Sequence, residues 1–130
     1  MTKSGVNRLV WMLLLTIFTG CGFDGPVMSV TELKSVLADP NREVTVIDVR
    51  PTAQFKKGHV PGAKNYPLEE IDLTWNSISS IKGEIAIICT CGKRSLAAIK
   101  KLSVKGINTA LVEGGMKKWE AAGYPIEKVN

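Results

Sequence analysis

From Ser29 onward the chain alternates between helical spacing of apolar residues and short β-branched runs, a pattern that admits few folds. The sharpest signal is "EIAIIC", 84 to 89, whose apolar run from Ile85 to Cys89 suits a strand buried on both faces. A helical pattern follows at once, with Leu96, Ile99 and Leu102 in register, a predicted start at about Ser95, and Gly106 as the stop. "EVTVIDV", 43 to 49, predicts another strand, "AKNYPL" a short one after a Pro-Gly turn, and "INTALVEGG" a strand and turn. "SVTELKSVLADP" predicts a helix. Ser29 and Glu32 stand at capping-box spacing, Val30, Leu33, Val36 and Leu37 share a face, and Pro40 lies beyond the end. Residues 69 to 80 and "MKKWEAAG", which ends at Gly123 before Pro125, complete the helices. Strands separated by helices imply an α/β domain: a mainly parallel sheet of about five strands with helices on both faces.

Nothing in the composition opposes one such domain, since 130 residues with 45% hydrophobic and 22% charged residues suffice for a single core. The net charge of +5 is a mild excess without a long cationic run. The doublets Lys56-Lys57, Lys100-Lys101 and Lys117-Lys118 fall on separate elements and read as solvated faces, so nucleic acid is not expected as a partner.

Residues 1 to 20, "MTKSGVNRLVWMLLLTIFTG", carry Lys3 and Arg8, no acid, an apolar stretch from Leu9 to Phe18, and then Thr19 and Gly20. That is the layout of a secretory signal peptide. A bilayer takes about 20 apolar residues, so this stretch is too short for a permanent span. "FTGC", ending at Cys21, resembles the lipobox of bacterial lipoproteins. The resemblance implies cleavage before Cys21, lipid on its sulfur and amine, and an exported protein anchored to the cell membrane or outer membrane, facing the periplasm or exterior. Without lipidation, Cys21 is a spare thiol of a secreted protein. Gly22 stands where an Asp often retains lipoproteins at the inner membrane, leaving the outer membrane open. Residues 21 to 28 then form a lipidated tether, in which "GFDGPVM" reads as a linker reaching at most about 25 Å, and 29 to 130 form the domain.

Cys89 ends its strand, and in a parallel sheet ligands collect beyond the carboxyl ends of the strands. The loop "TCGKR" turns directly into a helix, so backbone N–H groups and the positive end of the helix dipole converge near the Cys89 sulfur. Gly92 permits the curl, and Lys93 and Arg94 add positive charge. These terms favour a thiolate and point to attack on an anionic substrate.

"CTCGKRS" resembles the Cys-x-x-Gly-x-Arg-Ser active loop of single-domain rhodaneses. "VIDVRPTAQFKKGHVPGAKNYPL" and "LVEGGMKKWEAAGYPI" resemble two further segments of that family, in the family's order, so the likeness covers residues 29 to 128. It implies the rhodanese fold for 29 to 130 and a sulfurtransferase that needs no cofactor. By the same resemblance Cys89 attacks the outer sulfur of thiosulfate or a similar donor, sulfite departs, and the Cys89 persulfide passes its sulfur to cyanide or a thiol. Thr90, Cys91, Gly92, Lys93, Arg94 and Ser95 form the substrate-binding loop, with Arg94 orienting the sulfonate. Thr90 stands where thiosulfate-using loops often carry Arg, which leaves the donor open. Asp48 and Arg50 are supporting residues that hold loops by hydrogen bonds. His59, the single histidine, belongs to a turn in that family, and an ionised cysteine needs no base.

The same residues admit three other readings. Phosphatases related to this fold have a Cys-to-Arg loop one residue longer, and the smaller ring suits sulfur better than phosphate. A sulfur-carrier or binding module without efficient turnover fits the same residues, although the retained cysteine argues for activity. A metal site lacks ligands, because the mature domain holds Cys89 and Cys91 with His59 in a different loop. Cys91 is either incidental or a redox companion able to form a Cys89–Cys91 disulfide.

Overall fold

The computed structural model describes residues 23–130; the expected signal peptide, the lipidation site Cys21 and the first residues of the tether lie outside the described residues. Five strands make one sheet among the described residues: β1 (Val27–Met28), β2 (Val44–Asp48), β3 (Lys64–Asn65), β4 (Glu84–Ile88) and β5 (Ala110–Val112). Their order is β1-β5-β4-β2-β3, and every pairing is parallel. β2 and β4 run side by side over their full length, from Val44 opposite Glu84 to Asp48 opposite Ile88. Helices α1 (Val30–Ala38), α2 (Thr52–Lys57), α3 (Ile71–Ser79) and α4 (Lys93–Val104) fill the connections, with a 3-10 turn at Leu68–Glu70 leading into α3, and α5 (Gly115–Ala121) follows β5.

The expected α/β architecture is therefore the observed one, and β4 shows why its sequence reads as continuously apolar. Ile85, Ile87 and Cys89 enter a core with Ile78 of α3 and Leu102 of α4, while Ala86 and Ile88 enter a second core with Leu33 of α1 and Trp119 of α5. Neither face meets water. Each fully buried Ile or Leu contributes roughly 1.5–3 kcal/mol relative to exposure, so the cores on the two faces hold the central strand firmly.

At α1 the capping box forms as expected: Glu32 N–H donates to Ser29 Oγ at 3.1 Å and Ser29 N–H donates to Glu32 Oε2 at 2.7 Å. Val30, Leu33 and Val36 are buried, whereas Leu37, expected on the same face, is 37% exposed. Part of the expected linker is built into the domain. Val27–Met28 pairs with β5, and Phe23 packs against the core on the α4 side. α4 starts two positions before the expected Ser95, at Lys93, with Gly92 as its N-cap.

Candidate active site

Cys89 follows the last residue of β4 and is 1% exposed. Its side chain lies in the core, yet the sulfur is not purely apolar in its surroundings, because Gly92 N–H donates to Cys89 Sγ at 3.0 Å. This contact needs Gly92 in the left-handed region, at φ 113°. Nothing lies within 4 Å of where a Gly92 Cβ would sit, so the demand for glycine is conformational. Gly92 also starts α4, whose first turn has no side-chain cap. The N–H groups of Lys93, Arg94 and Ser95 therefore have no partner inside the helix and present the positive end of its dipole beside the loop. Such a cradle favours an anion brought to the loop.

The loop is held from behind by the Gly114-Gly115 turn. Met116 N–H donates to Cys89 O at 2.8 Å and Lys117 N–H to Thr90 O at 3.0 Å. These two bonds fix the carbonyls of Cys89 and Thr90 while Gly92 N–H faces the sulfur. A Cβ on Gly115 would collide with the carbonyl oxygen of Cys89 and stand 2.7 Å from that of Thr90, so the turn approaches the loop as closely as a backbone can. Trp119, in the helix that follows this turn, is 2% exposed, with Nε1 donating to Pro125 O at 2.8 Å. The buttressing role of Gly115 was missed; the Gly-Gly pair just after a strand was the available signal.

Of the other loop residues, Thr90, Cys91 and Lys93 are exposed and Arg94 is half-buried. Arg94 makes no ion pair among the described residues, leaving its guanidinium available to an anion. Ser95 is fully buried, and its hydroxyl has no hydrogen-bond partner among the described residues. Both Cys89 and Cys91 are free thiols.

Asp48 and Arg50 lie at the end of β2, joined to β4 by Val49 N–H donating to Ile88 O at 3.0 Å. They form a buried pair. Arg50 Nη2 donates to Asp48 Oδ2 at 2.7 Å and to Gly58 O at 2.7 Å, and the Arg50 N–H donates to Asp48 Oδ1 at 3.0 Å. Among the described residues neither side chain hydrogen-bonds to the cysteine loop, and their bonds stitch the β2 turn to the segment ahead of His59. His59 is stacked on Phe55, with ring centroids 3.7 Å apart. Its Nδ1 lies 2.8 Å from Phe55 O, which can only accept, so Nδ1 carries the proton. Its other nitrogen lies 3.6 Å from Glu127. These contacts hold His59 in the turn between α2 and β3.

A cavity of about 420 Å³ opens on the flank of the loop. Phe23, Val27, Leu96 and Leu111 give it apolar walls, and Cys91, Gly92, Lys93, Glu113, Gly114 and Lys118 complete the lining. Phe23 enters it by folding its ring over Gly25, where a side chain would collide with the ring. The aliphatic stem of Lys118 lies across Gly114 in the same way.

The family model described as "Rhodanese-like domain" matches residues 29–122. A Bacillus subtilis protein named for a sulfur-carrier role, YrkF, is 32% identical over 82 residues, covering 62% of this chain and 44% of YrkF. A sulfurtransferase of Allochromatium vinosum is 30% identical over 95 residues, covering 72% of this chain and 87% of that protein. Thus the chain spans less than half of YrkF but most of the smaller enzyme. Among solved structures, a rhodanese-related protein from Thermoplasma volcanium superposes with a TM-score of 0.70 at 31% identity, covering 78% of this chain and 97% of that one.

Proposed function

The chain belongs to the rhodanese-like domain family, and from that premise we propose that it is a sulfurtransferase that takes a sulfane sulfur from thiosulfate or a similar anionic donor. The observation that carries this reading is the Cys89 sulfur at the end of β4, accepting the Gly92 N–H at 3.0 Å beside the uncapped start of α4. The Cys89 thiolate attacks the outer sulfur of thiosulfate. A sulfur–sulfur bond forms to Cys89 as the bond to the sulfonate sulfur breaks, and sulfite leaves with the electron pair. The free N–H groups of the loop stabilise the charge on the resulting persulfide, and Arg94 orients the sulfonate with its planar fork. A nucleophilic acceptor, cyanide or a thiol, then attacks the outer sulfur and releases the Cys89 thiolate.

Ping-pong turnover of thiosulfate and cyanide, lost in Cys89→Ser and retained in Cys91→Ser, is the test. The likeness to YrkF favours a second reading, a sulfur carrier without efficient turnover. That reading requires a Cys89 persulfide on mass spectrometry together with negligible release of thiocyanate.

Lipidation of Cys21 would keep this chemistry at a membrane surface, and the basic, apolar and small-residue order of 1 to 20 supports it. Labelling with a palmitate analogue should mark the wild-type chain and be absent in Cys21→Ser.

A further inference from the structure

We propose that the flank bearing the apolar cavity is a docking surface for an anionic phospholipid bilayer, and that it holds the cysteine loop at the membrane interface. The proposal rests on lipidation of Cys21 and is independent of the sulfur-transfer chemistry. Cys89 is not in the cavity's lining, so the cavity is assigned attachment and no step of the reaction.

The place where the described chain begins is the first reason. Phe23 packs against the core on the α4 side and forms a wall of the cavity, and β1 follows at Val27, paired with β5. A free linker over residues 22 to 28 would let the domain stand up to about 25 Å from the lipid. Built into the domain from Phe23 onward, that stretch leaves Gly22 alone between Phe23 and Cys21, and two residues reach at most about 7 Å. An acylated Cys21 therefore brings the bilayer to this flank of the fold.

The chemistry of the flank is the second reason. Phe23, Val27, Leu96 and Leu111 offer apolar walls to acyl carbon, while Lys93 and Lys118 stand in the same lining to meet lipid phosphates. Both lysines are exposed, as is Lys117 beside Lys118, and none of the three forms an ion pair among the described residues. The neighbouring acids are fewer: Glu113 in the lining and Asp24 next to Phe23. Lys118 is pre-placed for a phosphate, because its stem is packed over Gly114. The far edge of the sheet is β3, and the exposed Gln54 on α2, the helix before it, marks the side turned away from the cavity.

Depth measurements on the full chain test the proposal. The protein is processed in a bacterial host, extracted with its anchor, and reconstituted in vesicles of phosphatidylcholine and phosphatidylglycerol. One sample carries a fluorophore on Cys91 in the Cys89→Ser background. The other carries it at position 54, through Gln54→Cys combined with Cys89→Ser and Cys91→Ser. Lipid spin-labelled near the headgroup should quench the Cys91 probe, which iodide should fail to reach, and the probe at position 54 should show the reverse. Lys118→Met keeps the stem over Gly114 and should lower the ratio of docked to undocked domain about fivefold, the equivalent of ~1 kcal/mol for one lysine at an anionic surface. Equal lipid quenching at the two positions, or free access of iodide to the Cys91 probe, overturns the docking even where a palmitate analogue marks Cys21. Shielding from iodide without lipid quenching also overturns it, in favour of another segment of the chain in the cavity, or of a second copy if the shielding grows with protein concentration. A chain that takes no palmitate label and does not float with the vesicles overturns the docking and the anchor together.

Discussion

Gly115 faces the carbonyl of Cys89 across a gap that has no room for a methyl group. Because the next two N–H groups, of Met116 and Lys117, hold the carbonyls of Cys89 and Thr90, the turn sets which way the loop's amides face. Gly115→Ala should therefore push the loop away and also strain a residue at φ 57°. A displacement of about 1 Å is enough to cost on the order of 10²-fold in turnover. Thiosulfate:cyanide kinetics check this, with near-wild-type circular dichroism as the control for folding; unchanged turnover would show that the buttress is dispensable.

Arg94 is half-buried beside the loop and has no anionic partner in the protein among the described residues. Arg94→Lys keeps the charge but loses the two-pronged geometry. Loss of one charge-assisted hydrogen bond, about 1.5–3 kcal/mol, should lower the specificity constant for thiosulfate by roughly tenfold or more. The rate of sulfur release to cyanide from preformed persulfide should change little. Equal losses in both half-reactions would assign Arg94 to the loop's structure instead.

Asp48 is fully buried against Arg50. Asp48→Ala leaves the guanidinium buried without its counter-ion, which costs about 3–5 kcal/mol. Urea denaturation should show that loss. Asp48→Ala combined with Arg50→Met should recover part of it, because the stranded charge is gone. A double variant no more stable than the single one would argue against this account.

Cys91 is exposed while Cys89 is buried two positions away, so the loop as folded separates the two thiols by environment. On the redox-companion reading, Cys91 attacks the inner sulfur of the Cys89 persulfide, forming a Cys89–Cys91 disulfide and expelling hydrosulfide. So short a ring is strained and easily reduced. Cys91→Ser should transfer sulfur normally and survive incubation with donor in air longer than the parent, with hydrosulfide release diminished. Identical inactivation curves would dismiss the redox role.

The parts of the fold that the sequence revealed were those whose burial is dense and local. β4 announced itself because both of its faces are covered, and α1 because its cap and its apolar stripe agree. The start of α4 did not, since Lys93 and Arg94 add no apolar periodicity and only the backbone at Gly92 marks the turn. β1 was unreadable because its two residues follow directly on Gly25 and Pro26, in a segment that reads as a linker. α2, Thr52–Lys57, buries none of its residues and so carries no pattern. The cysteine loop was legible as residue types in order, whereas Gly115's approach and the cavity walled by Phe23 and Leu111 depend on residues distant in sequence. The same holds for His59, whose backbone bridges to Glu127 near the other end of the chain.

Both margins of the sheet are strands of only two residues, Val27–Met28 and Lys64–Asn65. A longer bare margin would be a template on which another polypeptide could add a strand, the usual start of edge-to-edge aggregation. Here almost no unpaired ladder is offered on either side. Crowding many copies together should therefore leave the sheets separate, so that each active loop stays open to small molecules instead of being closed off by a neighbour.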